Sequence, residues 1–122
     1  MFIPISAWFS AFVLTIVVEA PVVWFLVRRA EPNVARLGLL VLFANLVTHP
    51  AVWYVFTQLF LVGTSTYTLA AEAWAIGAEA LFYGVTIGGL GPRRAVAVAV
   101  AANVASFLVG RLVGQVWPEL IS

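Results

Sequence analysis

Cysteine is absent from this chain, which excludes disulfides, thiolate metal sites and cysteine nucleophiles and leaves the redox compartment unread. Charge is nearly absent as well: 9% of residues are charged, against about 25% in a soluble domain. Net charge is +1 and every basic residue is an arginine, so nothing points to a nucleic-acid partner. HExxH, GxSxG and paired-histidine patterns are missing too. An intramembrane hydrolase built on Glu79 or Glu72 with His49 therefore has no motif behind it, and the chain reads as a non-enzyme.

What is present is oil-compatible sequence, 64% hydrophobic over 122 residues with a mean hydropathy of +1.10. That length holds four spans of about 20 residues with short connections and no water-soluble remainder, hence one transmembrane domain over residues 1–122. The spans are expected near residues 5–27, 37–61, 69–87 and 95–113. The first lacks a basic n-region and is too long for a signal peptide, so it reads as retained. Residues 95–100, AVAVAV, alternate as a strand would, but an unpaired strand in lipid leaves its backbone unsatisfied, so helix is expected. GTSTYT, residues 63–68, reads as a polar linker.

Arginines concentrate in residues 28–36 and 91–94. The positive-inside rule puts both loops in the cytoplasm and both termini outside. Trp8, Trp24, Trp53, Trp74 and Trp117 lie toward span ends and read as an interfacial belt.

An internal repeat organises the polar residues. Arg36 and Asn45 are nine apart with Thr48 following, and Arg94 and Asn103 are nine apart with Ser106 following. Glu19-Ala20 and Glu79-Ala80 occupy matching places in the first and third spans. The expected fold is all-α: a polytopic membrane four-helix bundle of two tandem helical hairpins, related by a pseudo-two-fold axis along the membrane normal.

Glu19, Asn45, Glu79 and Asn103 each sit nine residues from a loop, at one depth. A charged carboxylate there costs about 2.5 to 3.5 kcal/mol on insertion scales, so both glutamates should turn into the bundle. Pro21 and Pro50 should each free a carbonyl four residues back. The resulting candidate ion or proton site is Glu19, Glu79, Asn45, Asn103, Thr48 and Ser106, with His49 one turn from Asn45. Hard oxygen donors suit Na⁺, Mg²⁺, Ca²⁺ or Mn²⁺, or a proton shared between carboxyls. The same residues also serve as packing glue between helices in many bundles. Glu72 is expected near the outer interface.

EAP at residues 19–21, NLVTHPAVW at 45–53, EALFY at 79–83 and NVAS at 103–106 resemble a pattern in small uncharacterised four-span prokaryotic membrane proteins. That resemblance implies a fold and a place in a prokaryotic inner membrane, and no activity. In size and in its first-helix glutamate the chain is also similar to the small multidrug resistance transporters, but its second glutamate, arginine asymmetry and two prolines depart from that plan, and drug export is not implied. The expected function is a small transporter or channel with a mid-membrane proton or cation site, acting in the bilayer as a homo-oligomer. The alternative is a non-catalytic packing subunit of a larger membrane complex.

Overall fold

A computed structural model describes residues 4–120. Four long helical runs make up the protein, and no strand occurs among the described residues. In chain order the helices are α1 (Ile5–Val27), α2 (Val34–Pro50), the short α3 (Phe56–Leu59), α4 (Ser65–Thr86) and α5 (Pro92–Val116); a π-helical turn, Ala51–Val55, carries α2 on into α3. Three of the runs, Ile5–Val27, Val34–Leu59 and Pro92–Val116, are long and apolar enough to cross a membrane. The protein is thus compatible with integral membrane placement, with α4 not among the three.

Local sequence explains most boundaries. Asn33 caps α2 by accepting the Arg36 backbone N–H at 3.1 Å, and Arg36 also pairs with Glu31 across the turn at 3.1 Å. Pro92 occupies the first turn of α5, where a missing N–H costs nothing. Gly89 lies at φ 78, a left-handed value that a side chain resists, and so turns the chain between α4 and α5. Thr64 caps α4 by accepting the Tyr67 N–H at 3.3 Å. The stretch expected as a polar linker is therefore helix from Ser65 onward, because a threonine cap outweighs its composition. The alternating run 95–100 is helical, and its burial shows why: Ala95, Val98, Ala99 and Ala102 face inward at helical spacing.

The two prolines act differently. Pro21 lies inside α1 without breaking it, whereas Pro50 is followed at once by the π turn. The second run is thus not the single α-helical span expected from sequence. A proline lacks the N–H that continues the ladder, and a widened turn accommodates the defect. Side chains take up carbonyls in that turn: Tyr67 donates its hydroxyl to Val52 O at 3.2 Å, and Thr57 to Trp53 O at 3.0 Å.

The long helices pack in a cycle, α1 on α2, α2 on α4, α4 on α5 and α5 on α1. Arg36 donates to Thr86 O at 2.6 Å, which puts the start of α2 beside the end of α4. The Tyr67 to Val52 bond ties the start of α4 to the turn after α2. The bundle therefore has an arginine side, holding residues 28–33 and 87–91, and an opposite side. The apolar core, centred on Val23, Val27, Leu37, Leu40, Val41, Tyr83, Ile87, Leu90, Ala95 and Val98, lies between the glutamates and the arginine side. Outward faces carry large apolar side chains on every long helix, including Phe9, Phe43, Leu81, Val85 and Leu108, all at least half exposed.

Candidate functional site

Five polar residues are buried in the middle of this bundle: Glu19, Asn45, Thr48, Glu79 and Asn103, between 0% and 6% exposed. Neither carboxyl faces outward. On Glu19, Oε2 accepts from Asn45 Nδ2 at 3.0 Å and Oε1 accepts from Ser106 Oγ at 2.9 Å. On Glu79, Oε2 accepts from Asn103 Nδ2 at 2.6 Å and Oε1 accepts from Thr48 Oγ1 at 3.3 Å. Asn45 and Thr48 share one face of α2, three residues apart, as do Asn103 and Ser106 on α5. The six side chains thus close a ring through all four long helices. Each glutamate draws its amide from the long helix that follows it, and its hydroxyl from the other neighbour in the cycle, α5 for Glu19 and α2 for Glu79.

The amide orientations follow from the surrounding backbone. Asn45 Nδ2 also donates to Val41 O at 2.9 Å, and Asn103 Nδ2 to Ala99 O at 2.8 Å. Turning either amide over would set oxygen against a carbonyl, so the N–H₂ groups are committed to the carboxyls. An amide nitrogen presented this way cannot ligate a cation.

Each hydroxyl has two acceptors within reach. Thr48 Oγ1 is within reach of Ala44 O at 3.2 Å as well as Glu79, and Ser106 Oγ of Asn103 O at 3.1 Å as well as Glu19. A hydroxyl carries a single hydrogen, which goes either to the carboxyl or to the helix carbonyl. A carboxylate accepts that hydrogen, whereas a carboxylic acid reverses the bond: its O–H points at the hydroxyl oxygen and the hydroxyl turns to the helix carbonyl. The geometry thus accommodates a proton on each acid.

Beside the ring is a cavity of about 160 Å³ lined by Thr15, Glu19, Asn45, Thr48, His49, Glu72, Asn103 and Ser106, with Val52, Trp53 and Phe107. His49 is not in the ring, contrary to its grouping with the other candidates. It pairs through Nε2 with Thr15 Oγ1 at 3.3 Å, while its buried Nδ1 has no protein partner. The rings of Trp8, Phe12 and Trp53 surround it, with centroids 5.6 to 6.4 Å away. Trp8 and Trp53 are therefore wall residues around an imidazole as well as residues near span ends. Trp24 fits the belt reading better, exposed and packed under Arg28 at 5.4 Å.

Six of the seven sequence candidates meet in the ring, and two cavity residues with side-chain oxygens, Thr15 and Glu72, lie outside the candidate set. Thr15 escapes sequence reasoning because a lone threonine in an apolar helix carries no signal. Glu72, expected near the outer interface, instead lines the cavity with Glu19, and its spacing of seven from Glu79 on one helix face was the available clue. Among the described residues no group of three or more histidine, aspartate or glutamate side chains is placed to hold a metal ion. Comparison with protein-family models, with curated proteins and with solved structures gives no match to this chain.

Proposed function

We propose that this chain is a four-span integral membrane protein that carries protons on Glu19 and Glu79 at mid-membrane, as a small transporter or channel. The observation that carries the reading is the hydrogen-bond ring, in which each buried carboxyl meets an amide donor and a hydroxyl that can bond to it in either direction. Of the expected occupants, proton or cation, the donor chemistry favours the proton: the amide faces turned toward the carboxyls are N–H₂, whereas Na⁺, Mg²⁺, Ca²⁺ or Mn²⁺ would call for oxygen.

Placement of α4 as the fourth span rests on its geometry. Its 22 residues reach about 33 Å at 1.5 Å each, enough for a hydrocarbon layer of ~30 Å. Its mean hydropathy is lowered by Glu72 and Glu79, both turned inward, while its outer face presents Leu69, Trp74, Leu81 and Val85. The exchange of partners around the ring supports a tandem duplication with a two-fold axis: each half supplies its own glutamate's amide and the other half's hydroxyl. On this reading the two arginine loops face the cytoplasm.

A packing subunit in a larger complex is the second reading, and the direct Glu to Asn contacts favour it because they leave no gap between those groups. Proton flux into liposomes separates the two. The purified chain should dissipate an imposed pH gradient, and Glu19→Gln and Glu79→Gln should each reduce the flux to that of empty liposomes while remaining folded. Unchanged flux in both variants refutes the proton-carrying reading and leaves the scaffold.

A further inference from the structure

The molecule is asymmetric about the level of its glutamates. Every cavity residue displaced from that level is displaced away from the arginine side: Thr15 one turn from Glu19, His49 one turn from Asn45, Glu72 two turns from Glu79, and Ser106 and Phe107 about one turn from Asn103. The cavity does not end there. Four of its lining residues, Thr15, Trp53, Ser106 and Phe107, also line a wider groove of about 470 Å³ between α1 and α5, which runs on past Gly110 and Arg111 to Gly114 and Gln115. Arg111 is exposed and stacks over Phe107 at 5.8 Å. With Thr15, Ser106, Arg111 and Gln115 along it, the groove is lined by polar side chains over its length.

The other direction is closed. Val23, Val27, Leu37, Val41, Tyr83 and Ile87, none more than 2% exposed, fill the interior between the glutamates and the arginine side. The Tyr83 ring fills this layer, fully buried, and its hydroxyl meets no protein partner.

Taking the proton-carrying reading as its basis, we infer that the cavity is a hydrated vestibule open only to the side opposite the arginine loops. Water enters by the α1 and α5 groove, passes the Phe107 ring, and reaches Glu19 through the lining of Thr15, His49 and Ser106. The cavity has room for several waters at ~30 Å³ each. Unpartnered His49 Nδ1 and the half-buried Glu72 carboxyl give those waters hydrogen-bond partners. In this conformation Glu19 exchanges protons with one compartment alone, and release to the other requires the apolar plug to move.

The absence of cysteine makes the test direct. Single cysteines are placed at Thr15→Cys and Gly110→Cys on the path and at Val41→Cys and Val98→Cys in the plug. Glu119→Cys and Arg93→Cys mark the two sides. In sealed, oriented proteoliposomes, a charged, impermeant methanethiosulfonate reagent should label Thr15→Cys and Gly110→Cys only from the side that labels Glu119→Cys. Val41→Cys and Val98→Cys should react at least roughly 100-fold more slowly from either side, since they are reached only by local opening. A Cβ at Gly110 meets nothing within 4 Å, so that variant keeps the fold even if Thr15→Cys does not. Labelling of the path residues from the arginine side, equal labelling of plug and path, or no labelling of Gly110→Cys overturns the inference. Labelling reads shape and water access, so it stands or falls independently of the flux carried by the Gln variants.

Discussion

Replacing Asn103 with leucine removes the 2.6 Å bond to Glu79 and reports the charge that Glu79 carries. Two outcomes differ in size. With a neutral acid, the variant loses one side-chain hydrogen bond between helices, about 0.6 to 1.7 kcal/mol in membrane proteins. With a carboxylate, it leaves a buried charge short of its best donor, and the cost rises to about 3 to 5 kcal/mol. Glu79→Gln sharpens the comparison, because a glutamine can accept from Asn103 through oxygen and donate to Thr48 through nitrogen, reproducing the hydrogen pattern of the acid. If the acid is what the folded protein holds, Asn103→Leu costs the same with Glu79 intact as in the Glu79→Gln background, and the coupling energy stays within about 0.5 kcal/mol. The assay is reversible unfolding in mixed micelles at neutral pH, followed by the fluorescence of the five tryptophans. A coupling above about 2 kcal/mol refutes a proton held on Glu79.

Tyr83→Phe removes a buried hydroxyl that has no partner, so stability in the same assay should be unchanged or raised, by up to about 1 kcal/mol. A loss larger than that means the hydroxyl is bonded and the plug is wet. Gly89→Ala should cost about 1 kcal/mol even though a Cβ there meets nothing within 4 Å, because the penalty comes from φ 78 and not from crowding. A neutral result removes that turn's dependence on glycine.

The part of the site legible in sequence is the part encoded by distance from a loop. Glu19, Asn45, Glu79 and Asn103 share a depth because each lies nine residues from an arginine-side connection, and a helix converts that count into height. The bounds of α1 were legible for a similar reason, a continuous apolar run closed by Arg28. Partner choice was not. Ser106 bonds Glu19 across 87 positions, which depends on α5 packing against α1, and an apolar helix with small residues on several faces does not announce its neighbour. The π turn after Pro50 was foreseen only as a freed carbonyl, since proline specifies a defect without specifying how the next turn widens. The cavity was invisible for a deeper reason: it is bounded by side chains from all four long helices, and none of them alone implies empty space.

Because the ring closes only through α5, the order of synthesis matters. Glu19 meets Asn45 as soon as α2 has been made, but its other oxygen waits for Ser106, and Glu79 waits for Asn103. A nascent chain that stops before α5 therefore holds two half-bonded acids in a setting hostile to them. The last helix acts as a clasp: without it, one oxygen of each acid has no side-chain donor.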